Sequence, residues 1–192
     1  TGDISPKSVI ATGGGLFFAQ NMMYRHTITV YDQEYGLVTT IPDTVDLTAH
    51  GHGDFSGSHR GAPVEAVPTS DGAFVYVSNY QMYGEGYDRP GGDGCDLADW
   101  DESFVYRVAT DTLQIDQVIP VGAVPKFVAI TPNDRLVLVS NWCSFDLSVL
   151  DTASGREIAR VPLGRHPRGI AVSPSGDTAY VAVMGSRDIA IV

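Results

Sequence analysis

PKFVAITPNDRLVLVSN (residues 125–141) and PRGIAVSPSGDTAYVAV (residues 167–183) decide how this chain folds. Each opens on a proline, runs through a short apolar stretch, turns on Pro-Asn-Asp or Pro-Ser-Gly, and resumes with a second apolar stretch. Turn residues of these kinds supply the backbone angles of a tight hairpin. The two segments begin 42 residues apart, and two earlier ones align with them: PVEAVPTSDGAFVYVSN from Pro63 and PKSVIATGGGLFFAQN from Pro6. Working outward, a third apolar stretch follows each hairpin, near residues 27–31, 103–107, 147–150 and 189–192. A fourth follows the first three, near residues 37–41, 113–119 and 156–161. Apolar positions alternate or form short runs and do not follow a 3.6-residue period, so strands are expected and helices are not.

Four antiparallel strands in about 42 residues make one blade of a β-propeller. The fold class is therefore all-β, with blade-like units at about residues 6–43, 63–122, 125–164 and 167–192. The longer spacings, 57 residues from Pro6 to Pro63 and 62 from Pro63 to Pro125, leave insertions at about residues 43–62 and 80–102. Three blades and three strands of a fourth do not close a ring. The expectation is roughly half of a larger, seven-bladed propeller; a chain of this length standing alone would need a second copy to cover its open blade edges.

The combination of Pro-x-x-[Ile/Val]-Ala, a Pro-x-Gly turn, [Tyr/Val]-Val-[Ser/Ala]-Asn and a strand ending in Asp resembles the YVTN family of β-propeller repeats. GIAVSPSGDTAYVAV with DIAIV, and VLVSNWCSFDLSVLD, carry the match; the last unit departs from it with Val183 where the others have Asn21, Asn79 and Asn141. The resemblance implies a propeller used as a binding platform, and equally the scaffold of lactonases and quinoprotein-like oxidoreductases.

Composition limits the functions. Lys and Arg number 12 against 23 Asp and Glu, a formal net charge of −11, which disfavours a nucleic-acid partner. Apolar residues at 43% suffice for a core, and no apolar run approaches the roughly 20 residues that cross a bilayer, so no transmembrane span is expected.

In a four-stranded blade the connection into the next blade and the connection between the second and third strands emerge on one face. Both insertions fall there, and long loops in an economical fold are common carriers of function; covering the blade ends is their structural alternative. Three of the four residues after the repeat prolines are basic: Lys7, Lys126 and Arg168 against Val64. With His166 they are expected to form an anion-favouring rim at the mouth of the central channel; solvation, or pairing with Asp residues of the insertions, is the alternative. Asn79 and Asn141, at the ends of second strands, are further candidates for ligand contact. His50, His52 and Asp54 are the residue types of a divalent metal site, although their spacing matches no strong motif. Asp88, Asp93, Asp96, Asp99, Asp101 and Glu102 offer oxygen ligands for calcium without the signature of a calcium loop. Tyr80, Tyr83, Tyr87 and Trp100 give the second insertion aromatic area.

Cys95 in the second insertion and Cys143 in the next blade belong to connections on one face of adjacent blades. A disulfide between them would imply an oxidising, extracytoplasmic compartment; two free thiols are the alternative. No nucleophile elbow, phosphate loop or catalytic triad is present in the sequence. The expected function is an extracytoplasmic binding module presenting a looped face and basic rim to a protein, a cell-envelope partner or an anionic ligand. The alternative is a propeller enzyme of lactonase or quinoprotein-like type with a metal or cofactor over the channel.

Overall fold

A computed structural model describes residues 4–89, 92–95 and 100–192. Among these residues every regular element is a strand, and no helix is long and apolar enough to cross a membrane. β1 (Ser8–Ala11), β2 (Phe17–Asn21), β3 (Thr27–Tyr31) and β4 (Leu37–Pro42) form the first antiparallel sheet, each strand beside its sequence neighbour. β10 (Pro125–Ile130), β11 (Leu136–Asn141), β12 (Asp146–Asp151) and β13 (Arg156–Pro162) repeat that order, and β14 (Pro167–Val172), β15 (Ala179–Val183) and β16 (Asp188–Ile191) repeat its first three strands. The innermost strands of the four sheets stand side by side.

The second sheet departs from the expected blade. It has five strands: β5 (Thr44–Asp46), β6 (Ser58–Pro68), β7 (Phe74–Tyr83), β8 (Ser103–Ala109) and β9 (Gln114–Val121). Strand β6 begins five residues before Pro63, and its extension pairs with the far end of β7, Arg60 opposite Tyr83 and Gly61 opposite Met82. Part of each insertion is thus sheet, and both rise from the same end of the blade, away from the β6–β7 turn.

One side-chain hydrogen bond recurs at the opposite end. Thr12, Thr69, Thr131 and Ser173 each accept, through the hydroxyl oxygen, an N–H at the start of the second strand or one residue before it: Leu16 at 3.1 Å, Phe74 at 3.1 Å, Leu136 at 3.0 Å and Thr178 at 3.2 Å. Three residues after the hydroxyl the backbone is left-handed, at Gly15, Gly72, Asp134 and Gly176. Glycine enters that region without steric cost, and Asp tolerates it better than most residues. Asp134 also accepts the Ser70 N–H at 3.0 Å and the Ser70 hydroxyl, linking the turns of adjacent blades. Gly72→Ala is expected to cost about 1–2 kcal/mol, read as a lower melting temperature. The backbone there has φ +70°, and a Cβ would stand 3.3 Å from the Gly14 nitrogen.

Alternation then builds the core between blades. Phe18, Ile28 and Val30 of the first blade meet Val75, Val77 and Val108 of the second. On the other side of the second blade Tyr76, Val105 and Ile119 meet Val128, Val137 and Val139 of the third, and Leu138 and Leu147 meet Ile170 and Val181 of the last. The far face of the last blade is open: Tyr180, Ile189 and Ile191 are exposed, Tyr180 standing where Leu138 stands in the blade before. The first insertion folds over the second blade. Val45 and Leu47 are buried with Met82, Phe104, Tyr106 and Val118, with Phe55 packed against them. Its role is packing, the structural alternative for that loop.

Candidate functional site

The residues after the four repeat prolines meet. Lys7, Val64, Lys126 and Arg168, contributed by the inner edges of four successive blades, line one cavity of about 220 Å³ at the channel mouth, completed by Met22, Met23, Tyr80 and Asp93. The repeat explains the convergence, because one register position carried round a ring of inner strands points the same way in every blade.

The three cations are not equivalent. Lys126 is buried, and its ammonium is paired with Asp93, stands 3.9 Å from the ring centre of Trp142 and 5.5 Å from that of Tyr80. Two more donors hold Asp93: the Tyr80 hydroxyl donates to its carboxylate at 2.9 Å, and Trp142 Nε1–H donates to its backbone carbonyl at 2.9 Å. Burial draws the Lys126 pKa down, opposed by Asp93, while the Lys126 hydrogen bond draws Asp93 below the usual carboxylate range. Burial and Asp93 together raise the Tyr80 phenol. Lys7 and Arg168, by contrast, have no hydrogen-bonded or ion-paired side-chain partner among the described residues. Glu65, next to Val64 on β6, is half-buried; burial raises its pKa, while Arg168 and Lys7 act to lower it.

A depressed Asp93 pKa has a definite consequence for pH. The contribution of such a group is present above its unfolded pKa, about 3.9, and is lost as pH falls through the lower folded value. The Asp93–Lys126 pair should therefore persist through the neutral range and release only below about pH 4. Tryptophan fluorescence should report this, since Trp142 touches both partners; a transition centred near pH 6 would contradict it.

Cys95 and Cys143 are disulfide-bonded, with Cα atoms 5.2 Å apart, so the free-thiol alternative is set aside. The bond ties the second insertion to the third blade two residues from Asp93 and one from Trp142.

The remaining sequence candidates lie elsewhere. The His166 ring is stacked on Trp142, centroids 4.5 Å apart, and does not line the cavity; burial, then Arg165 and Lys126, lowers its pKa. Asn79 and Asn141 are fully buried and work inside their own blades. Asn79 Nδ2 donates to the Phe104 carbonyl at 3.1 Å; Asn141 Nδ2 donates to Asp146 at 2.6 Å and to Ser148 at 2.8 Å. Asn21 does the same toward Thr27 and Thr29, so this repeated residue pins the second strand to the third. Asn141→Ala is expected to cost about 2 kcal/mol in a denaturant melt, because it strips a hydrogen bond from Asp146, a buried carboxylate.

The expected metal group does not assemble. His52 Nε2 is hydrogen-bonded to the Val118 carbonyl at 2.8 Å, His50 lies in an open groove with Asp116 at the outer edge, and Asp54 is exposed. Among the described residues no three His, Cys, Asp or Glu side chains converge to hold a metal ion. Of the acidic stretch, Asp96 and Asp99 lie outside the described residues. Asp93 is taken by Lys126, Asp101 accepts the Arg89 N–H at 2.6 Å, and Glu102 pairs with Arg160. Tyr87 stacks on Phe55 with centroids 5.3 Å apart, joining the two insertions.

Repeated antiparallel blades with β1, β6, β10 and β14 arranged side by side define a partial β-propeller. Solved structures agree on the fold. The chain superposes over its whole length on 46% of a chain of Kuenenia stuttgartiensis hydrazine synthase, with a TM-score of 0.70 and 20% identity. It superposes likewise on 52% of the chain in the structure of U3-55K, with a TM-score of 0.64 and 9% identity. It thus spans about half the length of each. No family model and no curated protein matches the sequence, so the resemblance to YVTN repeats rests on the repeat residues themselves.

Proposed function

We propose that this chain is part of an extracytoplasmic propeller that serves as a binding module, its channel mouth receiving the anionic group of a small ligand or partner. The observation that carries the proposal is the meeting of Lys7, Lys126 and Arg168 in one cavity of a protein whose net charge is −11, with two of the three lacking a partner among the described residues. Convergent cations in a concave, partly apolar site focus potential toward an anion even when the whole molecule is acidic. The Cys95–Cys143 bond supports the oxidising compartment. The open apolar face of the last blade, with Tyr180, Ile189 and Ile191, favours further blades or a second copy as an additional partner.

A propeller enzyme of lactonase or quinoprotein-like type, with His50, His52, Asp54 and the basic rim at its site, is the alternative reading. The likeness to hydrazine synthase, an enzyme, is one of fold only. Calorimetric titration of the protein with butyrate and with phosphate in low and in high salt tests the proposal. Binding that weakens with salt is expected; absence of heat from both at millimolar concentration in low salt would withdraw it.

A further inference from the structure

The cavity at the channel mouth has two unlike walls. Lys7 and Arg168 supply the uncommitted charge. Met22, Met23, Val64 and the Tyr80 ring supply an apolar surface, of which Met23 is half exposed. Lys126 belongs to the frame: its charge is already met by Asp93 and the Trp142 ring.

We infer that the channel mouth binds a small organic monocarboxylate, its carboxylate held by Lys7 and Arg168 and its hydrocarbon body laid on Met22, Met23 and Val64. The inference rests on the anion-binding reading above and narrows it to one ligand class. Three features select that class. A guanidinium presents a planar fork that fits two carboxylate oxygens, and an ammonium beside it adds a point charge. Asp93 lines the same cavity, so a compact dianion such as phosphate meets a fixed carboxylate while gaining only two free cations. A cavity of about 220 Å³ also has room beyond a carboxylate head, and the space left over is bounded by apolar side chains. Methionine, unbranched and polarizable, suits a wall that adapts to bodies of differing shape.

Calorimetric titration of the purified protein at neutral pH with acetate, butyrate, hexanoate and inorganic phosphate tests this. Affinity should rise by about fourfold for each methylene that becomes buried, since each contributes about 0.8 kcal/mol, with phosphate weaker than hexanoate. Lys7→Gln combined with Arg168→Gln should weaken hexanoate at least tenfold with an unchanged melting temperature, Lys7 being exposed and Arg168 unpaired. Equal affinity for phosphate and all three carboxylates, lost in the double variant, would overturn the monocarboxylate inference and leave the anion site standing. Absence of binding by all four probes, or hexanoate binding untouched by the double variant, would overturn both.

Discussion

Replacing Cys95 and Cys143 together by serine is expected to lower stability by about 4 kcal/mol, seen as a melting temperature lower by roughly 10 °C. The bond closes a loop of 48 residues, and in the chain-entropy view most of its effect lies in restricting the unfolded chain. A second consequence is local. Cys95 is two residues from Asp93, Cys143 is next to Trp142, and these two surround Lys126 with a carboxylate and an aromatic ring. Without the disulfide the second insertion is held there chiefly by the Asp93–Lys126 pair, the Tyr80 hydroxyl and Trp142 Nε1–H. The double variant should therefore also show a shifted tryptophan emission at temperatures well below its melt. Equal melting temperatures for wild type and variant under non-reducing conditions would contradict the bond as a stabilising strap.

The second large effect is expected at Leu47. It is wholly inaccessible to solvent in the first insertion, packed among Val45, Met82, Phe104, Tyr106 and Val118. Truncation to alanine removes buried methyl groups and leaves a cavity, at a cost of about 3 kcal/mol. Phe104, Tyr106 and Val118 belong to the second blade, so the loss should be global and appear in the main unfolding transition. Asp54→Ala, in the same insertion but exposed, should leave the melt unchanged. The contrast separates a packing insertion from a binding loop. If Leu47→Ala were as harmless as Asp54→Ala, the insertion would not be part of the core.

The repeat makes the architecture legible in the sequence: one proline register, one hairpin turn and one alternation recur four times, and each recurrence is a local signal. The convergence of Lys7, Val64, Lys126 and Arg168 was legible for the same reason, since equal positions in a ring of repeats face one point. What the sequence left hidden were contacts between residues far apart in the chain. Asp93 was one acidic residue among many in its loop, and nothing local marked it as the partner of Lys126. Trp142 beside Cys143 was the available signal, because a disulfide from the loop containing Asp93 brings that loop onto the tryptophan. Asn79 and Asn141, at the ends of strands, resemble surface positions in the sequence; their hydrogen bonds to Phe104, Asp146 and Ser148 pin the blade from within. The histidines of the first insertion looked like a metal set because their types agree, but the insertion folds over the second blade, and His52 spends its ring nitrogen on the Val118 carbonyl.

The central claim is that the channel mouth binds anions through the two uncommitted cations of the inner strands. Calorimetric titration of hexanoate into wild type and into the Lys7→Glu, Arg168→Glu double variant measures it most directly. The account predicts binding to the wild type and at least a hundredfold loss in the variant, about 3 kcal/mol, with both proteins melting at the same temperature. Equal affinities in the two proteins would contradict it.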